Sequence, residues 1–352
     1  MSMLRHILAV VFVALFAASP RGQAAPSAQP TVATKPATAI ERPLLWRIEL
    51  PMPSYLFGTI HLPDDRVTNL PPVVTEAIGS CGALFTEIPM DMDKLMAAAQ
   101  AAMLPKGTKL VDQVGEELYA RMKAYVEGRG QKMTVLDRMK PWAGTTQLMV
   151  IDMMSQMATK QPLDMKLYAG AKKAGKKVGG LETVESQLAV FEVLSLEEQR
   201  NMLKATLDEL EKQVAEGKSP VEELIQLYLR GDEAALDKRM NEYPLGDEAL
   251  SAKIKDRLLA NRNGDMVDRM VEELQCHPDR GAFFAVGAAH YGGELGIVNL
   301  LRDRGYRITR LELSPTPEVS GNESEAIDGE IARREKEIEL LRARRGKLVG
   351  TR

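Results

Sequence analysis

Apolar positions follow two different periods along this chain. Toward its two ends they gather into short runs bounded by proline, glycine and polar clusters, the signature of β-strands. Such runs cover residues 44–50, 55–61, 83–88, 282–287 and 307–313. The Pro-Met-Pro-Ser segment between the first two predicts a hairpin turn. Helical spacing separates the others, over 71–80, which opens at a proline, and over 263–275 and 296–304. The order is β-β-α-β at the front and α-β-α-β at the back, which predicts an α/β sheet covered by helices. The middle, residues 92–261, changes to the helical period over 142–157, 163–174, 184–194, 196–216 and 220–230. Two short extended pieces, 109–111 and 177–181, interrupt it. The expected architecture is a central β-sheet built from the N- and C-terminal segments, flanked by helices, with a large, mostly helical middle insert.

The ends outside residues 42–313 read differently. Residues 1–25 have the form of a signal peptide, with Arg5 as the basic region, Ile7 to Ala18 as the apolar region and Gly22-Gln23-Ala24 before cleavage. The apolar run is too short to span a bilayer; an uncleaved membrane anchor is the alternative. Residues 26–41 are rich in Pro, Ala and Thr and read as a flexible leader. Residues 314–352 form a polar tail, with a highly charged helix over 326–347. This order predicts a periplasmic or secreted protein with no membrane span in its mature form. A net charge of −3 gives no sign of nucleic-acid binding. Two cysteines are too few for a disulfide scaffold. Cys81 and Cys276 each precede a strand and could pair, although free thiols are favoured.

Candidate chemistry concentrates in two Gly-x-x-His turns, Gly58-Thr59-Ile60-His61 and Gly287-Ala288-Ala289-His290. Each ends an apolar strand, and in open α/β sheets ligands bind beyond the carboxyl ends of strands. Glu87 follows a third strand at a comparable place. Two imidazoles and a carboxylate suit a metal or acid–base site. The alternatives are histidines that cap strands and a Glu87 that forms a structural ion pair. Asp64 and Asp65 read as turn residues, His277 as an exposed residue of a polar turn, and Met149, Met153 and Met157 as core. The 170–177 segment imitates a phosphate-binding loop but lacks its Ser/Thr and follows a helix. Neither H-E-x-x-H nor G-x-S-x-G is present.

The stretches LFGTIHLPDD, LFTEIPM, KPW at 140–142, VGGLETVESQ at 178–187, NRN at 261–263 and FFAVGAAHYGGELGIVNLLRDRGYRITRL resemble the TraB/GumN family in order and spacing. The resemblance spans residues 42–313. It takes in TIKI-like and PrgY-like proteins and implies a fold related to the erythromycin-esterase and ChaN-like proteins. It also implies a metal-dependent peptidase, with His61, Glu87 and His290 at the matching site positions and manganese or cobalt as the metal. Glu182 and Arg262 match recurring polar positions. Tyr291 departs from the family's leucine-like residue and would add a phenol near the site. Arg262 could partner Glu87 or hold a substrate carboxylate or developing oxyanion. Glu182 could be a base or a charge at a helix N-terminus. The expectation is an exported hydrolase of a peptide or small molecule. His61, Glu87 and His290 would hold one divalent ion (manganese, cobalt or zinc), and Glu87 or Glu182 would serve as base. A metal-free, histidine-based hydrolase and a non-enzymatic binder of peptide, haem or metal are the alternatives.

Overall fold

The computed structural model describes residues 37–157 and 159–313. The expected signal peptide, most of the leader and the charged tail lie outside the described residues. The chain divides into two units, Met1–Glu312 and Leu313–Arg352, and the sheet and its helices belong to the first.

The leader and the domain meet earlier than the composition suggests. Residues 37–41 lie against the helix Pro220–Arg230: Gln226 Oε1 accepts the Ala37 N–H at 2.7 Å, and Glu41 N–H donates to Leu229 O at 2.7 Å. Ala37 and Ile40 are buried there, so two apolar side chains pin a segment whose composition reads as flexible.

Six described strands form one sheet. They are β1 (Leu45–Ile48), β2 (Ser54–Thr59), β3 (Ala83–Thr86), β4 (Lys177–Gly180), β5 (Ala282–Gly287) and β6 (Ile308–Arg310), in the order β4-β3-β5-β2-β1-β6. β1 and β2 form the antiparallel hairpin, with Leu45 opposite Phe57. β4, β3, β5 and β2 run parallel, and β6 pairs antiparallel with β1. Every residue of β3 and β5 is buried, as expected of parallel strands covered on both faces, and this is why their sequences are unbroken apolar runs. The register aligns the strand ends: Thr59 lies opposite Gly287, and Thr86 opposite both Ala285 and Gly180. Whatever follows β2, β3, β4 and β5 therefore emerges along one edge.

β4 comes from the middle of the chain, so the sheet takes one strand from the helical segment as well as five from the ends. Its sequence, Lys-Val-Gly-Gly, has little to bury. The glycines are required by the neighbours: a Cβ on Gly179 would stand 3.0 Å from the Phe85 ring, and one on Gly180 2.4 Å from Pro89 Cδ.

The middle of the chain is otherwise helical. The helices that bear on the site are α1 (Pro141–Leu148), α2 (Leu163–Lys173), α3 (Val184–Glu192), α4 (Pro220–Arg230), α5 (Glu248–Lys255) and α6 (Asn261–Cys276). Residues 142–157, expected as one helix, are interrupted: α1 ends at Leu148, Val150 leaves helical dihedrals at φ −122°, and a 3-10 turn, Ile151–Met153, precedes a short helix, Met154–Met157. The adjacent β-branched pair Val150-Ile151 is a weak helix former. Residues 109–111, expected as extended, begin the helix Leu110–Val114 instead, because Asp112 turns back to accept the Lys109 N–H at 2.8 Å. Between α5 and α6 the backbone widens into a π turn, Asp256–Ala260, one residue before Asn261 and two before Arg262. No helix among the described residues is long and apolar enough to cross a membrane.

Candidate metal centre

The glycine of each Gly-x-x-His turn leaves room for a neighbouring side chain. A Cβ on Gly58 would fall 2.8 Å from Leu44 Cβ and 3.1 Å from Leu44 Cδ1, so the Leu44 side chain packs over β2 in this way only with glycine at this position. Gly287 faces the centre itself: its Cβ would lie 2.8 Å from Glu87 Oε1 and 3.3 Å from His61 Nε2. After Gly287 the chain winds into a 3-10 turn, Ala288–His290, that returns His290 toward β3.

His61, Glu87 and His290 meet behind this edge. Nε2 of His61 is 3.6 Å from Glu87 Oε1 and Nε2 of His290 is 3.8 Å from the same oxygen. All three are buried. Glu87 Oε1 also accepts the Gly287 N–H at 2.8 Å, while Oε2 accepts from Arg262 Nη2 at 2.6 Å and from Gln187 Nε2 at 3.2 Å. Arg262 continues to Glu182, to which its Nε donates at 3.1 and 3.0 Å and its Nη2 also donates; its Nη1 donates to Leu258 O at 3.1 Å. The two roles expected from sequence, Arg262 as the partner of Glu87 and Glu182 as a separate charge, thus merge into one chain, Glu87–Arg262–Glu182.

The far nitrogens of both imidazoles are occupied. His61 Nδ1 lies 2.7 Å from Asp164 Oδ2, and Thr59 Oγ1 donates to Asp164 Oδ1 at 2.5 Å. His290 Nδ1 lies 2.6 Å from Asn263 Oδ1, and Asn263 Nδ2 donates to Leu295 O at 2.7 Å. Both oxygens are acceptors, so each imidazole carries a proton on Nδ1 and turns Nε2 toward Glu87.

Charge differs across the three groups. Burial disfavours a charged His61, but Asp164 and Glu87 outweigh it and raise its pKa to about 10. Burial drives His290 down to about 3, with Arg262 and His61 adding to the effect against Glu87. Burial alone would raise Glu87, yet His290, Arg262 and His61 hold it well below the usual carboxylate range. Glu182 is raised, chiefly by burial, with Arg262 opposing.

The donor chemistry fits a divalent ion. Two imidazole nitrogens and one carboxylate oxygen make a ligand set known from catalytic metal sites, and two ligand atoms on a tetrahedral ion stand roughly 3.4 Å apart. The distances of 3.6 and 3.8 Å exceed that by a few tenths of an ångström. As placed, no group of three or more His, Cys, Asp or Glu among the described residues is arranged to hold an ion. His290 Nε2 is nevertheless buried without a hydrogen-bond partner, an arrangement that is costly unless something accepts its lone pair.

A cavity of about 770 Å³ lies on the other side of the ion-pair chain, walled by Leu181, Glu182, Val184, Val190, Arg257 and Arg262 among others. Of the five expected site residues it reaches Glu182 and Arg262, and the three central groups sit behind them.

Other expected features fall elsewhere. Asp64 caps the helix Asp65–Thr68 by accepting the Arg66 N–H, and Asp65 pairs with Lys160. His277 is exposed, with Glu273 at 4.0 Å. Met149 and Met153 are core residues, and Met157 packs against the core. Cys81 and Cys276 are free thiols, one buried and one exposed. Tyr291 is held by the sheet: its hydroxyl donates to Phe57 O at 3.1 Å and its ring stacks on Trp46 at 4.8 Å, and burial with the nearby Glu87 charge raises the pKa of its phenol. Asp164 and Asn263 carry no mark in the sequence that sets them apart. Asp164 passes for an acidic residue in the first turn of α2, and Asn263 stands beside Arg262 in the NRN segment.

Fold and site together define an α/β protein with a buried histidine–glutamate–histidine centre at the carboxyl ends of parallel strands. The chain belongs to the TraB/PrgY/gumN family, whose model matches residues 44–310. It is similar to "Metalloprotease TIKI2" of Danio rerio, 26% identical over 317 residues, covering 75% of this chain and 60% of that protein. "Metalloprotease TIKI1" of Homo sapiens is 26% identical over 321 residues, 78% of this chain and 63% of that protein. "Metalloprotease TIKI homolog" of Nematostella vectensis is 23% identical over 314 residues, 75% of this chain and 66% of that protein. The chain thus spans about three fifths of the length of the first of these relatives. No solved structure matches the chain at a significant level.

Proposed function

We propose that the protein is an exported, metal-dependent hydrolase of peptide bonds in which His61, Glu87 and His290 hold one divalent ion of manganese, cobalt or zinc. The observation that carries this reading is the convergence of two Nε2 atoms and one carboxylate oxygen from three separate strand ends, with His290 Nε2 buried and unpartnered. The metalloprotease names of the relatives support the same class. Export rests on the signal-like residues 1–25 and points to the periplasm or the cell exterior.

When bound, the ion supplies Lewis acidity, lowering the pKa of water and polarising a carbonyl. The chain's own groups do the rest. A substrate in the cavity meets the apolar side chains of Leu181, Val184 and Val190, and its path to the centre passes Glu182 and Arg262. Glu182 is the better base of the two carboxylates. Arg262 and Gln187 engage both carboxylates, but Glu182 lines the cavity, which Glu87 does not reach, and burial raises the proton affinity of Glu182 while Glu87 is held low. It takes a proton from the attacking water and returns it to the leaving nitrogen. Arg262 keeps both carboxylates in register and balances their charge.

The Asp164–His61 pair favours one rival, a metal-free hydrolase in which a carboxylate orients a histidine base. Peptide cleavage separates the two. In the proposed function, chelation abolishes turnover, and manganese, cobalt or zinc restores it in the wild type only, not in His61→Ala. Glu182→Gln lowers kcat by about 10²- to 10⁴-fold, the span of a lost acid–base group. Full turnover in chelator would leave only the histidine-base reading.

A further inference from the structure

We propose that Asp164 and Asn263 are positioning residues of the centre, each accepting the Nδ1–H of one histidine and thereby aiming its Nε2 at the point shared with Glu87 Oε1. This role rests on the proposed metal site and deepens it.

Every polar side-chain atom of both residues has a hydrogen-bond partner. Asp164 is 1% exposed and reaches the centre from α2, in the middle of the chain. Burying a carboxylate is costly, and a leucine of similar size would pack there at no such cost. Both of its oxygens are held, Oδ1 by the Thr59 hydroxyl and Oδ2 by His61 Nδ1. The Thr59 bond removes the freedom of the carboxylate to rotate, so the direction of the His61 ring is set from two residues upstream in the same strand end. A carboxylate can only accept, which assigns the Nδ1 proton to His61.

Asn263 reaches the same result with a neutral group. It is 2% exposed, and its amide nitrogen is committed to Leu295 O at 2.7 Å. Only the oxygen is left for His290, so that ring also must donate from Nδ1. Both rings therefore hold a proton on Nδ1 and are fixed in orientation before any ligand arrives. This is the role that outer partners play for metal-bound histidines, where the second ring N–H is held by a carboxylate or a carbonyl. The two partners are unequal. A carboxylate increases the basicity of its imidazole more than an amide does, so losing Asp164 should cost more than losing Asn263.

The test is cobalt binding to the purified protein, followed by absorbance and competition. The comparison includes wild type, His61→Ala, Asp164→Ala, Asp164→Asn, Asn263→Ala and Thr59→Val. Asp164→Ala is expected to weaken cobalt binding about 10- to 100-fold, the usual penalty for an outer partner, and Asn263→Ala by less. Asp164→Asn and Thr59→Val preserve shape in case the alanine variant misfolds, and each should lose part of the affinity with an unchanged circular dichroism spectrum. ¹⁵N-histidine spectra of the zinc-loaded protein should show two rings protonated at Nδ1 and bound through Nε2, a signature that a purely structural role would not require. Binding in Asp164→Ala and Asn263→Ala within twofold of wild type, while His61→Ala loses it, would overturn the positioning role alone. So would a ring bound through Nδ1. Equal binding by wild type and His61→Ala would instead remove the metal site beneath it.

Discussion

At the scale of single residues, Gly287 shows how little room the centre leaves. Its φ of −52° is open to any residue, so conformation does not call for glycine. What does is the 2.8 Å from its Cβ position to Glu87 Oε1 and the 3.3 Å to His61 Nε2. Gly287→Ala is therefore predicted to push Glu87 or His61 out of place. Metal binding and turnover should fall at least tenfold, while the fold loses only the roughly 1–3 kcal/mol typical of overpacking. Titration of metal into the variant beside a urea melt checks both parts. Undiminished metal affinity would mean that Glu87 Oε1 and His61 Nε2 do not share a ligand. The two glycines of the Gly-x-x-His turns are legible in the sequence as a repeated frame. Their reason is not, because it depends on Leu44, Glu87 and His61 standing opposite them. Asp164 is hidden for a similar cause. An acidic residue in the first turn of a helix has an ordinary local explanation in the helix dipole, and its burial against His61 is a fact of tertiary structure.

At the scale of elements, legibility follows burial. β5 is buried along its whole length, and its apolar run gives its bounds directly from sequence. β4 has four residues, two of them glycine, and nothing in its pattern marks it as part of the same sheet. Its place is set by Phe85 and Pro89, which occupy the space its side chains would take. Glu182 follows two residues after β4, and Glu182 N–H donates to Glu87 O at 2.8 Å, so the strand carries the outer carboxylate of the ion-pair chain. Two glycine substitutions should consequently move stability in opposite directions. Gly180→Ala places a Cβ 2.4 Å from Pro89 Cδ and 2.6 Å from its nitrogen, and should destabilise by about 1–3 kcal/mol. Gly170→Ala, within α2 with nothing within 4 Å of the new methyl, should stabilise by roughly 0.5–1 kcal/mol. Urea midpoints with unchanged slopes would report both. A Gly180→Ala variant as stable as wild type would contradict the close packing of β4 on Pro89.

At the scale of the whole domain, the centre is assembled from distant parts of the chain. Thr59 and His61, Glu87, Asp164, Glu182, Arg262 with Asn263, and His290 reach it from strand ends and helices spread over most of residues 44–310. The ends of the chain, with their apolar strands, make His61, Glu87 and His290 legible as a set. The helical middle supplies Asp164 and Glu182, and its periodicity shows only that it is helix. Arg262 joins the two contributions by bridging Glu87 from β3 and Glu182 after β4, and the π turn before α6 delivers it. The cavity then opens on the outer half of this bridge. The proposed chemistry depends on whether the inner half holds an ion. Elemental analysis of the purified protein, wild type beside His61→Ala and His290→Ala, asks this directly. A metal hydrolase of this design should carry close to one divalent metal per wild-type chain and lose nearly all of it in each variant, with far-ultraviolet circular dichroism unchanged. Wild-type protein that cleaves peptide while carrying no metal, or variants that retain the full complement, would contradict it.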